Sequence, residues 1–215
     1  MLYNAHTYYS LRYGTVSVEQ LVSQAASLGW KTLGVTEINN SSSMPNFVKE
    51  CKKHGITAFG GIEFKINNKL LYVGVVKNNL GFQKLNAFLS HHNINKEPLP
   101  ERAPVLEDVV FVYSFSDRGK FPNLRESEFV GVKPTELQKL FSLTESEKEK
   151  LIAWHPVTFL HAEKHELHRH LRAIDNNVLI SMLRPEDCAN NWETLPSPQE
   201  LQEAYQHHPY LLQRS

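Results

Sequence analysis

Apolar positions in the first ninety residues alternate between runs typical of strands and spacings typical of helices. Four short runs have the length and composition of buried strands: residues 1–4, 32–36, 56–64 and 70–76. Apolar residues recur at helical spacing between these runs, and Gly29 and Gly55 stand where helices commonly end. This alternation predicts a parallel sheet with helices packed outside it, as either a barrel or an open α/β sheet.

Helix starts are marked by three capping boxes, in which Ser or Thr is followed three residues later by Gln or Glu. The boxes begin at Ser17, Thr144 and Ser197. Nearer the carboxyl end, residues 163–174 have the amphipathic pattern of a helix. Its buried stripe is predicted to be Leu167, Leu171 and Ile174.

The middle of the chain has weaker patterns. Residues 91–103 are polar and rich in proline, which predicts a surface loop that includes the adjacent pair His91 and His92. The other predicted elements are a strand at 109–113, a charged loop at 114–128, a short helix at 134–141 and a strand at 151–154. No internal repeat is present in the sequence.

Composition narrows the possible functions. The 23 basic residues equal the 23 acidic ones, so we expect any contact with DNA to be indirect. The apolar runs are far shorter than the roughly 18 residues that suggest a membrane helix, so no membrane contact is expected. Two cysteines and no signal-peptide pattern predict a cytoplasmic protein. The 11 histidines make metal or acid–base chemistry a candidate.

The carboxyl ends of the predicted strands carry most of the candidate ligands. In an α/β barrel these ends form one rim, where binding sites are built. The candidates are Asn4, His6, Glu37, Glu63 and His155, with His168 on the following helix. Two His and two Glu side chains at one rim would suit Zn²⁺ or Mn²⁺. The alternative is that each is a hydrogen-bonded rim residue without a metal.

A second histidine cluster lies on the helix predicted at 163–174 and just before it. His161, His165 and His168 are spaced to share one helical face and could hold a metal. The sequence after His161 departs from the H-E-x-x-H pattern, and a solvated polar face explains the same spacing. We therefore favour a solvated face for this cluster, apart from His168.

Five segments together resemble one known family. They are residues 4–15 (NAHTYYSLRYGT), 33–40 (LGVTEINN), 61–64 (GIEF), 76–82 (VKNNLGF) and 166–174 (ELHRHLRAI). They are similar, in the same order, to the PHP domain (polymerase and histidinol phosphatase) of bacterial DNA polymerase III alpha subunits. The resemblance is strong over residues 1–90, patchy over 91–150 and moderate over 151–190. It implies a single domain over residues 1–215, folded as a distorted, TIM-like (β/α)7 barrel.

The resemblance also implies a centre of two or three metals held by up to nine ligands. Here Asn4 stands at the family's first histidine, and Glu37 and Ile38 stand where the family has Asp and His. Possible ligands remain at His6, Glu37, Glu63, His155 and His168. This reduced set implies either one divalent metal, Zn²⁺, Mn²⁺ or Mg²⁺, or none.

Three functions follow from the resemblance. The first is a structural and docking module of a replicative polymerase, whose partners are the rest of the alpha subunit and replisome proteins such as a proofreading exonuclease subunit. The second is a metal-dependent phosphoesterase or 3′–5′ exonuclease with a reduced metal site. In the third, a metal braces the barrel without catalysis. The palm, fingers and thumb of the family's polymerases do not fit in 215 residues, so polymerisation by this chain alone is not expected.

Overall fold

The computed structural model describes residues 2–121 and 123–214, apart from the side chains of Leu2 and Tyr3. Within these ranges the strands are β1 (Leu2–Ala5), β2 (Thr32–Ile38), β3 (Thr57–Ile66), β4 (Lys69–Val76), β5 (Val109–Ser114), β6 (Glu128–Val132) and β7 (Leu151–Val157). The helices are α1 (Val18–Ser27), α2 (Met44–Lys53), α3 (Asn79–Asn95), α4 (Glu145–Lys148), α5 (Lys164–Asn176), α6 (Pro198–Ala204) and α7 (Pro209–Gln213). Short 3₁₀ segments are Phe115–Asp117, Pro134–Ser142, Ile180–Met182 and Pro185–Asp187. Met1, the predicted start of the first strand, lies outside the described residues.

The strands form one curved sheet in the order β1-β7-β6-β5-β4-β3-β2. The two outer strands, β1 and β2, lie against each other, so the sheet curls into a nearly closed seven-stranded barrel. This confirms the expected α/β fold, a distorted TIM-like barrel. The prediction of an all-parallel sheet was wrong at one strand, because β4 runs antiparallel to both β3 and β5.

The reversal of β4 has a local cause. Only Asn67 and Asn68 separate β3 from β4. A parallel crossover needs a dozen or more residues, so a connection this short can only form a hairpin. Asn67 has a φ of 53°, a left-handed conformation that asparagine tolerates better than most residues.

The barrel interior is packed with apolar side chains. Val73, Val112, Ile152 and Trp154 form one cluster, although they come from three different strands. The indole of Trp154 needs a glycine opposite it, since a Cβ atom at Gly131 would lie 2.4 Å from Trp154 Cε3. Directly paired residues of neighbouring strands share a face, so a residue paired with Val73 also faces the interior.

Local signals predicted several elements correctly and missed others. The capping boxes at Ser17, Thr144 and Ser197 are all confirmed. Strand β6 was not predicted, because its start at Glu128 lies in a charged segment and its partners are the distant strands β5 and β7. The assignment of His91 and His92 to a loop was wrong, since α3 continues to Asn95.

The buried face of α5 differs from the predicted one. Leu167 is 46% exposed and Ile174 is 62% exposed, whereas His168, Arg172 and Ala173 are buried. The predicted stripe was therefore wrong at Leu167 and Ile174, whereas Leu171 is half-buried. His168 and Arg172 can face inward because side-chain nitrogens of both form hydrogen bonds with backbone carbonyls that are distant in sequence. The hydropathy pattern of a single helix contains no information about such distant partners.

Candidate metal centre at the barrel rim

Two of the predicted ligands meet at the rim. Glu63 on β3 is paired with Val73, so its side chain points into the barrel. Asn4 on β1 donates a hydrogen bond from Nδ2 to Glu63 Oε2. His6, just beyond the end of β1, places Nε2 3.1 Å from the same oxygen. Strands β1 and β3 thus bring an amide, an imidazole and a carboxylate into direct contact.

A lysine completes this group. Lys65 Nζ lies 2.6 Å from Glu63 Oε1, and both side chains are largely shielded from solvent. Burial alone would raise the pKa of Glu63, but Lys65 and His6 together hold the pKa of Glu63 well below its usual range. Burial would lower the pKa of Lys65, but Glu63 raises it above its usual value. The carboxylate and the ammonium therefore stay charged.

The ring of Tyr13 lies over this group. Lys65 Nζ is 4.3 Å from the ring centroid, a distance typical of a cation–π contact. The rings of His6 and His168 meet the Tyr13 ring edge-on, with centroids 5.0 and 4.7 Å away. Burial raises the pKa of Tyr13 to about 12, so its hydroxyl stays protonated at neutral pH.

A buried chain of polar groups continues from His6 on its other side. His6 Nδ1 lies 3.3 Å from Thr158 Oγ1. The Thr158 hydroxyl donates to Glu193 Oε2 over 3.0 Å. Asn190 donates to the other oxygen of Glu193 from its backbone and its side chain. The loop after β7 is thereby joined to the group around Glu63.

Glu37 lies apart from Glu63 although the two residues are on the neighbouring strands β2 and β3. Glu37 is paired with Ile62, whose side chain packs in the core outside the barrel, so the two carboxylates take opposite faces. Thr7 donates to Glu37 from its backbone N and its hydroxyl, over 3.1 and 2.5 Å, and Ser10 Oγ donates over 2.5 Å. The Glu37 carboxylate holds the loop between β1 and α1.

His155 also faces away from the rim. It is paired with Tyr3, whereas the inward-facing Asn4 is paired with Pro156. His155 Nε2 lies 2.9 Å from the carbonyl oxygen of Thr194. Burial lowers the pKa of His155, which favours the neutral ring.

Both ring nitrogens of His168 are bound to backbone groups. The Ala189 N–H donates to Nε2 over 2.9 Å, so Nε2 must be the unprotonated nitrogen. Nδ1 therefore carries the proton and donates to the Tyr13 carbonyl over 2.7 Å. Burial lowers the pKa of His168 to about 4. His168 links α5 to the loops on either side of it.

The side chains at the rim do not fit a centre of two or three metals. Across residues 2–121 and 123–214, no three His, Cys, Asp or Glu side chains come together as a metal-binding group. The buried Asn4 Oδ1 accepts no hydrogen bond from any described residue. This one free oxygen, with His6 and Glu63, is far short of the bridging carboxylates and imidazoles that such a centre requires.

The connected polar side chains at the rim form what we call the rim network: Asn4, His6, Glu63, Lys65, Thr158 and Glu193. The last three were not predicted from the sequence. Lys65 follows Glu63 by two residues on the same strand, and that spacing was a usable signal because such residues share a face. A charged lysine has no lone pair to offer a metal, so a pattern of candidate metal ligands does not include Lys65. Thr158 and Glu193 carry no such signal, since they are 35 residues apart in sequence.

Comparison with known proteins identifies relatives of part of the chain. A family model described as the PHP domain matches residues 3–119, more than half of the chain. DNA polymerase III subunit alpha of Ureaplasma parvum is 32% identical over 94 residues, covering 44% of this chain and 10% of that protein. The same subunit of Neisseria meningitidis serogroup A is 24% identical over 98 residues, covering 43% and 9%. The alignments thus span about a tenth of the length of these curated relatives.

Two solved structures are similar at low identity. A putative metal-dependent phosphoesterase from Bifidobacterium adolescentis aligns over 94% of each chain, with a TM-score of 0.36 and 10% identity. An amidohydrolase from Chromobacterium violaceum aligns over 44% of this chain and 33% of its own, with a TM-score of 0.35 and 15% identity. At these TM-scores, neither structure carries an argument about this chain.

Proposed function

Because the chain belongs to the PHP domain family, we propose that it is a PHP domain without metal-dependent catalysis, acting as a structural and docking module of a bacterial replicative DNA polymerase. The module spans residues 1–215 as one domain. The alignments to DNA polymerase III alpha subunits support the polymerase as its setting.

One observation carries this proposal: most of the expected ligands are already bound to protein groups. The Glu37 carboxylate accepts hydrogen bonds from Thr7 and Ser10 in the loop between β1 and α1. The lone pair of His168 Nε2 accepts a hydrogen bond from the Ala189 N–H. His155 faces away from the rim and donates a hydrogen bond from Nε2 to the Thr194 carbonyl. A ligand whose lone pair already accepts a hydrogen bond must lose that bond before it can bind a metal. The rim is therefore organised as a structural network.

Exposed apolar side chains around α5 support the docking role. Leu167, Ile174, Leu179 and Met182 are each between 46% and 69% exposed. They lie on α5 or in the segment that follows it. We assign this surface, the α5 patch, to the remainder of an alpha subunit, because the curated relatives extend far beyond the aligned part.

The proposed setting also fits the charge and the helices of the chain. Equal numbers of basic and acidic residues leave DNA binding to other parts of a polymerase. In the described ranges, no helix is both long and apolar enough to cross a bilayer. We place the protein in the cytoplasm, where bacterial DNA is replicated.

Metal analysis and a nuclease assay test the loss of catalysis. The purified chain, His6→Ala and Glu63→Ala are compared for bound Zn, Mn and Fe, and for Mn²⁺-stimulated hydrolysis of an oligonucleotide and of a phosphomonoester. We expect no hydrolysis that depends on His6. Hydrolysis lost in His6→Ala would establish the phosphoesterase or exonuclease alternative. Bound metal without turnover would establish the bracing role.

Binding to an alpha subunit that lacks its own PHP domain tests the docking role. We expect the chain to bind, and Leu167→Ser combined with Ile174→Ser to weaken binding at least tenfold. The control is Val105→Ser, an exposed apolar residue in the segment between α3 and β5. Absence of binding by the unmodified chain would refute docking, and equal weakening by the control would refute the α5 patch.

A further inference from the structure

The position of Lys65 in the rim is unusual for a lysine. Its side chain is 12% exposed, and its ammonium lies between the Glu63 carboxylate and the face of the Tyr13 ring. A buried lysine is expensive unless an opposite charge is close to it. Glu63 supplies that charge at 2.6 Å.

Lys65 offsets negative charge that is buried in the rim network. The network buries two carboxylates, those of Glu63 and Glu193. Glu193 is near enough to contribute to the stabilisation of the Lys65 charge. Without a cation on the Glu63 side, the carboxylate would keep only hydrogen bonds from Asn4 and His6. An isolated buried carboxylate strongly destabilises a folded protein.

The Lys65 ammonium also blocks the oxygen that a metal would need. Glu63 Oε1 is paired with Nζ, and Glu63 Oε2 is shared by Asn4 and His6. A divalent cation at Glu63 would have to displace at least one of these contacts. It would also approach a fixed positive charge, which disfavours its binding.

We infer that Lys65 takes the place of a divalent cation at the barrel rim, so that its ammonium is the permanent counter-ion of Glu63 and keeps the rim assembled without metal. This inference rests on the proposed loss of metal chemistry and names the group that replaces the metal. It predicts that Lys65 and Glu63 are strongly coupled in stability, and that divalent metal does not stabilise the protein.

A double-mutant cycle tests this inference by thermal unfolding. The variants are Lys65→Met, Glu63→Gln and the two combined, with Lys69→Met as the matched control on an exposed lysine of the neighbouring strand β4. We expect Lys65→Met to lower the Tm far more than Lys69→Met does. Glu63→Gln should restore most of that loss in the combined variant, because glutamine keeps the acceptor for Asn4 and His6 and removes the unpaired charge.

The same measurements include MnCl₂ and ZnCl₂ added separately in excess. We expect no rise in the Tm of the unmodified chain with either metal. A rise would overturn the inference, as would a Lys65→Met variant as stable as the control. A combined variant no more stable than Lys65→Met, including one that fails to fold, would also overturn it. The cycle tests the pairing of Lys65 with Glu63, whereas His6-dependent hydrolysis tests the proposed function, so the two failures are distinguishable.

Discussion

Acid should destabilise this protein through His168. The neutral ring is fully hydrogen-bonded, because Nδ1 donates to Tyr13 and Nε2 accepts from Ala189. A proton added to Nε2 would face the Ala189 N–H, which is itself a donor. Burial is the main cause that lowers the pKa of His168 to about 4, and the nearby charge of Arg172 adds to it. Protonation below neutral pH therefore favours the unfolded chain.

The size of the effect follows from the two pKa values. The unfolded state has a pKa of about 6.5 for histidine and the folded state about 4, so the unfolded state binds more protons between these values. The stabilisation is complete above the unfolded value and is lost as the pH falls through the folded value. Linkage gives a loss of about 2 kcal/mol in the free energy of unfolding between about pH 7.5 and about pH 5.

Urea unfolding at these two pH values measures the loss. The variant is His168→Gln, which has no titratable group, and the control is His170→Gln, on an exposed ring of the same helix. We expect the unmodified chain and the control to lose about 2 kcal/mol more than His168→Gln does over this interval. Other titrating groups are common to the three proteins and cancel in the comparison. An equal pH dependence in the unmodified chain and His168→Gln would refute the reasoning.

Two further predictions concern single contacts, each measured by urea unfolding. Glu37→Gln should lower the free energy of unfolding by about 1–3 kcal/mol, because the carboxylate accepts three buried hydrogen bonds. The control is Glu19→Gln, at an exposed glutamate. A similar loss of stability in both variants would contradict the role of Glu37 in holding the loop after β1. Gly131→Ala should lower the free energy of unfolding by about 1–3 kcal/mol, because the new Cβ atom would clash with the Trp154 indole. Gly119→Ala, where a Cβ atom has open space, is its control, and equal stability of the two variants would contradict the packing.

Signals confined to a few residues were enough to predict much of the fold. The capping boxes at Ser17 and Ser197 are complete within four residues, so the sequence alone locates both helix starts. Strand β6 is different, because a five-residue strand is held by its neighbours β5 and β7 rather than by its own pattern. Its existence depends on residues that are distant in the chain.

The candidate site was predictable only in part, for a related reason. The resemblance assigned His6 and Glu63 to one site, and in the structure the two side chains are in contact. It also grouped Glu37 with them, and the pleat of two neighbouring strands separates the carboxylates onto opposite faces. Whether a strand residue faces inward depends on register, which a pattern of motifs does not encode. The ligand roles of His6, Glu37, Glu63, His155 and His168 stay predictions.

The pairing of β1 with β7 affects the order in which the domain can form. In the sheet, β1 is hydrogen-bonded to β7, which begins about 150 residues later at Leu151. During synthesis, β2 to β5 can pair with one another long before β7 leaves the ribosome. Until then the edge of β1, which carries Asn4 and is followed by His6, lacks its partner β7. The rim is complete only after β7 has paired with β1. Late closure of this kind makes folding slow and leaves the edge of β1 open to incorrect strand pairing until β7 has been synthesised.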